Sequence, residues 1–128
     1  MRIPKWYSLT EILSAAALDM SWHTVGADNK ITDAEKFEQD ALVKNNTALK
    51  SVPPRYRSTF FNHVFGGGYA AGYYAYLWAE MLDHDAFQWL QENGGLTREN
   101  GQILREKVFS RGNSEGIRRS KRSNGGIK

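Results

Sequence analysis

Apolar residues recur at helical spacing along most of this chain, and the places where the rhythm stops are marked by glycine, proline or asparagine. Leu9, Ile12, Leu13, Ala16, Ala17 and Met20 form one such stripe, opened by the capping-box pair Ser8 and Glu11 and ended by Gly26. Thr32 with Glu35 repeats the capping signature ahead of a more polar stretch, where Ala34, Phe37, Ala41 and Leu42 share a face until Asn45 and Asn46. That pattern predicts a second helix lying on the surface. Pro53 and Pro54 then interrupt the chain. Beyond them, Ser58 to Phe65 suits a short helix, Gly66, Gly67 and Gly68 a loop, and Tyr69 to Asn93 a long helix closed by Gly94. Thr97 is placed to cap a last helix with apolar positions Ile103, Leu104 and Val108, running to Arg111 just before Gly112.

No stretch alternates apolar and polar residues as a half-buried strand would, and the connections are short. The expected class is therefore all-α, a helical bundle occupying residues 1–116. Residues 117–128 lose all periodicity and read as a basic, solvated and mostly disordered tail.

Composition fits this picture: with 41% hydrophobic and 24% charged residues in a chain of 128, one modest core can form. The formal charge of +3 would suggest an anionic partner if it were spread over the body. It is not, because Arg118, Arg119, Lys121 and Arg122 crowd into the tail. Neither a nucleic-acid partner nor a membrane is expected. Cysteine is absent, so a disulfide framework is excluded and a reducing cytoplasm is compatible with the chain. No segment reaches the length of a membrane-spanning helix, and the first residues lack the continuous apolar run of a secretory signal.

Candidate chemistry gathers around His63 and the tyrosines after the glycines. Tyr69, Tyr73 and Tyr76 are spaced so that one helix would align their hydroxyls, while Tyr74, Leu77, Trp78, Met81 and Leu82 would form a separate packing face. Three glycines in a row free the backbone for positive φ and let another chain come close. Tyrosine hydroxyls donate well to a carbonyl oxygen that is gaining charge, and His63 can donate to a second carbonyl. Taken on spacing alone, such a stripe is more often a packing face with satisfied hydroxyls, triple glycine a tight turn, and a lone histidine structural.

The run HVFGGGYAAGYYAYLWAEML, preceded by VPPRYRSTFF and followed by GGLTRENGQILREKVFSRGNSE, changes that balance. It resembles the C-terminal region of bacterial peptidyl-dipeptidases, zinc metallopeptidases of the thimet oligopeptidase family. The resemblance is strong from Val52 to about Glu115 and looser over EILSAAALDMSWHTV and DAEKFEQDAL. It fades before about Trp6 and after about Gly116, where the basic ending stands in place of further helix.

The resemblance implies that Tyr76 donates its hydroxyl to the carbonyl oxygen under attack. It implies that Tyr69, Tyr73 and His63 hold the peptide backbone and its free C-terminal end, and that Gly66, Gly67 and Gly68 form a mobile loop closing over the peptide. Zinc is implied for the parent enzyme and for none of these residues. Such peptidases hold zinc through HExxH and a further glutamate, a motif this sequence lacks: His23, His63 and His84 lie far apart, and Glu80 with His84 is a single helical pair. Two functions follow. The first is an incomplete portion of a peptidase, inactive alone; the second is a non-catalytic helical module that binds peptides. In the first, apolar faces that the parent would cover stand open, with Phe60, Phe61, Phe65, Tyr74 and Trp78 forming an exposed patch capable of self-association.

Overall fold

Helix α1 spans Lys5–His23 and contains neither glycine nor proline to break it. Because Lys5, Trp6 and Tyr7 do not oppose helix, α1 begins ahead of the expected cap, and Ser8 lies in its first turns. Its buried residues are Ser14, Ala15, Ala16, Leu18 and Asp19, whereas Leu9, Leu13 and Met20 are exposed. The face turned inward is thus the one rich in alanine, not the one bearing the larger leucines. Small side chains let the neighbouring segments approach α1 closely.

Helix α2 covers Ala34–Lys44. Its cap is Asp33 rather than Thr32: the Asp33 carboxylate accepts from the Lys36 amide at 2.9 Å, completing the usual exchange one residue later than expected. Asn46, with φ of 57°, follows the last turn. Phe37 packs its ring 4.1 Å from that of Trp22 on α1.

The segment after the prolines splits. Ser58–Phe60 is a 3-10 turn and Asn62–Phe65 is the short helix α3, separated at Phe61, whose ψ of 57° is not helical. That break turns the Phe61 ring inward to 1% exposure, so it is a core residue and not part of an open patch. Ala15, Ala16, Phe61, Val64 and Tyr73 make the core, with Ile12, Tyr56 and Leu77 packed against it.

Two buried carboxylates fasten these pieces. Glu38 on α2, 4% exposed, accepts from the Ser58 amide at 2.7 Å and from Arg57 Nε at 2.9 Å. Trp22 Nε1 donates to the Ser58 hydroxyl at 2.9 Å. Asp19 does the corresponding work for the tyrosine segment.

Helix α4 spans Ala75–Glu92 and α5 spans Arg98–Lys107, followed by a 3-10 turn at Phe109–Arg111 and Gly112 in the left-handed region. The Thr97 hydroxyl caps α5 by accepting from the Asn100 amide at 3.1 Å. Asn100 Nδ2 donates to the carbonyls of Asn93 and Gly95, pinning the turn between the helices. These assignments come from a computed structural model describing residues 5–112 and 114. Among them the only β feature is an isolated bridge between Leu49 and Val52, and the class is all-α. The chain forms two compact units divided within α4 after Ala79, and the functional candidates all lie in the first. The expected boundary at residue 116 and the basic tail 117–128 fall outside the described residues. Among the described residues, no helix is long and apolar enough to cross a membrane.

Candidate functional site

His63 rides on α3, and the chain after it folds back at once. The amides of Gly66 and Gly67 both donate to the Asn62 carbonyl at 2.8 Å, and the Tyr69 amide donates to the His63 carbonyl at 3.0 Å. A Cβ on Gly67 would meet the His63 carbonyl oxygen at 3.0 Å and its Cα at 3.1 Å, and Gly68 has φ of +81°. Glycine is needed there for the turn itself. Its effect is to bring Tyr69 beside His63, with ring centroids 6.3 Å apart.

Residues 70–74 form turns, not the start of a long helix; α4 begins at Ala75. Ala71, with φ of 53°, interrupts the helical path that the tyrosine spacing predicts. The cause is the Asp19 carboxylate, fully buried on α1, which accepts from the Ala71 amide at 3.0 Å and the Tyr73 amide at 2.9 Å. Two amides on either side of Gly72 converge on one anion, as in a backbone nest. His23 Nδ1 lies 2.8 Å from the same carboxylate.

Although the backbone differs from expectation, the predicted side chains are brought together. Tyr69 and Tyr76 stack at 5.8 Å, and Tyr73 lies 4.9 Å from Tyr76. His63 is 5.9 Å from Tyr73 and 6.4 Å from Tyr76. Tyr56, which the spacing did not single out, joins the cluster 4.8 Å from His63. The aromatic rings are not equivalent: Tyr73 is buried at 3% exposure, whereas Tyr69 and Tyr76 are open at 43% and 40%. Tyr73 therefore lies beneath the more exposed pair Tyr69 and Tyr76.

Both Tyr73 and Tyr76 hold their phenolic protons more tightly than an ordinary tyrosine. For Tyr73, burial is the main cause, with Tyr56 adding to it and a hydrogen bond from Arg55 opposing it. For Tyr76, loss of hydration leads, followed by the neighbouring Tyr69 and a hydrogen bond with its hydroxyl. Tyr73 and Tyr76 are thus held as neutral donors, and a phenol of this kind suits carbonyl oxygens and an oxygen gaining negative charge.

With Tyr56, Asp19 and Arg55 are the residues the spacing missed. A signal for Asp19 existed: it falls in line with Ile12, Ala15 and Ala16 at helical spacing, and an acid on a buried face must find donors. No comparable sign marks Arg55.

Zinc does not fit the residues present. Among the described residues no group of three or more His, Cys, Asp or Glu side chains could hold a metal ion. A groove of about 640 Å³ between α1, residues 24–31 and α2 is lined by Met20, Ser21, Ile31, Phe37 and Lys44 and includes none of the tyrosine cluster.

The chain matches the profile of Peptidase family M3 over residues 4–124, past both limits at which the resemblance was expected to fade. It is 56% identical over 115 residues to a dipeptidyl carboxypeptidase of Escherichia coli, covering 90% of this chain and 17% of that protein. The figures for the dipeptidyl carboxypeptidase of Salmonella typhimurium are 56% over 110 residues, 86% and 16%. An oligopeptidase A of Escherichia coli is 54% identical over 55 residues, or 43% of this chain and 8% of that protein. The chain thus spans less than a fifth of the length of the dipeptidyl carboxypeptidases it matches.

Proposed function

The chain belongs to Peptidase family M3, and from that premise we propose that it is the peptide-holding, C-terminal portion of a zinc-dependent cytoplasmic peptidase that releases dipeptides from peptide C-termini. Tyr76 donates its hydroxyl to the carbonyl oxygen under attack. Tyr69 and His63 hold the peptide backbone and its free C-terminal end, Tyr73 supports them from beneath, and the turn at Gly66, Gly67 and Gly68 lies beside the bound peptide. The observation that carries the reading is the gathering of His63, Tyr69, Tyr73 and Tyr76 into one cluster by the non-helical turns between α3 and α4. A regular helix would align these rings by default; a turn shaped by Asp19 does so only by specific construction.

Zinc, where a peptidase of this kind binds it, polarises the carbonyl and activates water. No residue set of this chain is assigned to that task, so the isolated chain is proposed to be inactive. The alternative of a self-sufficient peptide-binding module is disfavoured by apolar side chains left open on the first unit: Phe60 at 58%, Phe65 at 52%, Tyr74 at 56% and Trp78 at 47% exposure.

The test is a chimera in which this chain replaces the matching stretch of the Escherichia coli dipeptidyl carboxypeptidase, assayed for dipeptide release from a short peptide. Zinc-dependent release is expected. A chimera that folds and binds zinc yet releases no dipeptide would overturn the proposal.

A further inference from the structure

We infer that Asp19 is a positioning residue for the peptide site, acting from beneath through the Tyr73 turn, and that His23 steers it; the inference rests on the peptide-binding reading above. Asp19 is 0% exposed, and a carboxylate taken out of water must be compensated by donors. It has three of them: the amides of Ala71 and Tyr73, at 3.0 and 2.9 Å, and His23 Nδ1 at 2.8 Å. The first two belong to a segment 52 and 54 residues further along the chain. Local hydrogen bonds tie the Gly72 amide to the Tyr69 carbonyl at 2.8 Å and the Ala75 amide to the Gly72 carbonyl at 3.0 Å, and leave the Ala71 and Tyr73 amides to Asp19. Ala71 sits at φ of 53°, a conformation unfavourable for a residue with a Cβ, and the two hydrogen bonds to Asp19 offset it.

The consequence reaches the more exposed pair through ring packing. The Tyr73 amide is fixed to Asp19, the Tyr73 ring lies 4.9 Å from Tyr76, and Tyr76 stacks on Tyr69. Releasing either amide lets the turn relax toward helix, which would swing Tyr73 and withdraw the support under Tyr76. His23 Nδ1 also lies 2.9 Å from the Asp19 carbonyl, so the imidazole bridges main chain and side chain of the same residue and limits the carboxylate's rotation.

Asparagine at this position keeps size and shape but offers one acceptor and two donors, so one of the two amides must lose its partner. Asp19→Asn in the 128-residue chain is therefore expected to retain helical circular dichroism and a cooperative melt. Hydrogen exchange at Ala71 or Tyr73 should become faster by at least about tenfold, and affinity for a short unmodified peptide should fall by about tenfold, the coupling expected of residues in contact.

A purely structural role and a positioning role separate in a second background. With Tyr76→Phe already present, Asp19→Asn should cost less than about twofold in peptide affinity, because the hydroxyl it places is gone. Should Asp19→Asn not fold, His23→Gln serves in the same cycle, with an expected loss of about threefold that likewise vanishes beside Tyr76→Phe. Equal losses in both backgrounds, or unchanged affinity, overturn the positioning role while leaving the peptide-binding reading intact. Failure of the unaltered chain to bind the peptide overturns that reading and the inference with it.

Discussion

Tyr73 shows how a residue can be found by pattern while its depth stays unread. Its spacing from Tyr69 and Tyr76 flagged it, but spacing is silent on depth, and the ring is buried at 3% exposure. For Asp19, helical spacing from Ile12, Ala15 and Ala16 marks the buried face but not what meets the carboxylate there. Its partner amides lie more than fifty residues away. Burial has a measurable consequence. The folded phenol of Tyr73 holds its proton above the ordinary value of 10.0, so its contribution to stability is complete below pH 10.0 and is lost as pH climbs from there through the raised folded value. Denaturant midpoints should fall with pH in that window, and less steeply in Tyr73→Phe. An identical slope in the two proteins would contradict the assignment.

At the scale of elements, helices were legible and their edges were not. The Thr97 cap and the stop at Gly94 sit where the residues place them, because local hydrogen bonds and positive φ decide those points, whereas the last helix ends at Lys107 and only a 3-10 turn carries the chain on to Arg111. The start of α4 was misplaced because a distant carboxylate, and no local signal, unwinds residues 70–74. In α1 the apolar stripe divides, with Ala16 buried and Ile12 against the core while Leu9, Leu13 and Met20 stay exposed. Glu38 is the second distant fastening, joining α2 to the turn at Ser58. Glu38→Ala strips a buried amide of its acceptor and should cost about 1–3 kcal/mol in chemical denaturation, with faster exchange at the Ser58 amide. A loss well below that would mean water reaches the site and replaces the carboxylate.

For the whole molecule, the surface carries the question of completeness. In the first unit Phe60, Phe65, Tyr74 and Trp78 are exposed, and in the second Leu96 and Phe109 reach 85% and 75%. Single exposed apolar side chains are ordinary, but so many large ones on a small chain favour association. Sedimentation of the purified chain should show mass rising with concentration over the micromolar range; a monomer at every concentration would argue that the chain is sufficient in itself. The all-α class was legible from period alone, whereas the proposal that this chain is one portion of a peptidase rests on a motif, HExxH, that its sequence lacks. The most direct measurement of the central claim is steady-state kinetics of Tyr76→Phe in the Escherichia coli chimera. Loss of one oxyanion donor predicts turnover lower by about 10²–10³ with KM little changed. Unchanged turnover would contradict the account, because the cluster would then hold no hydroxyl that meets the developing charge.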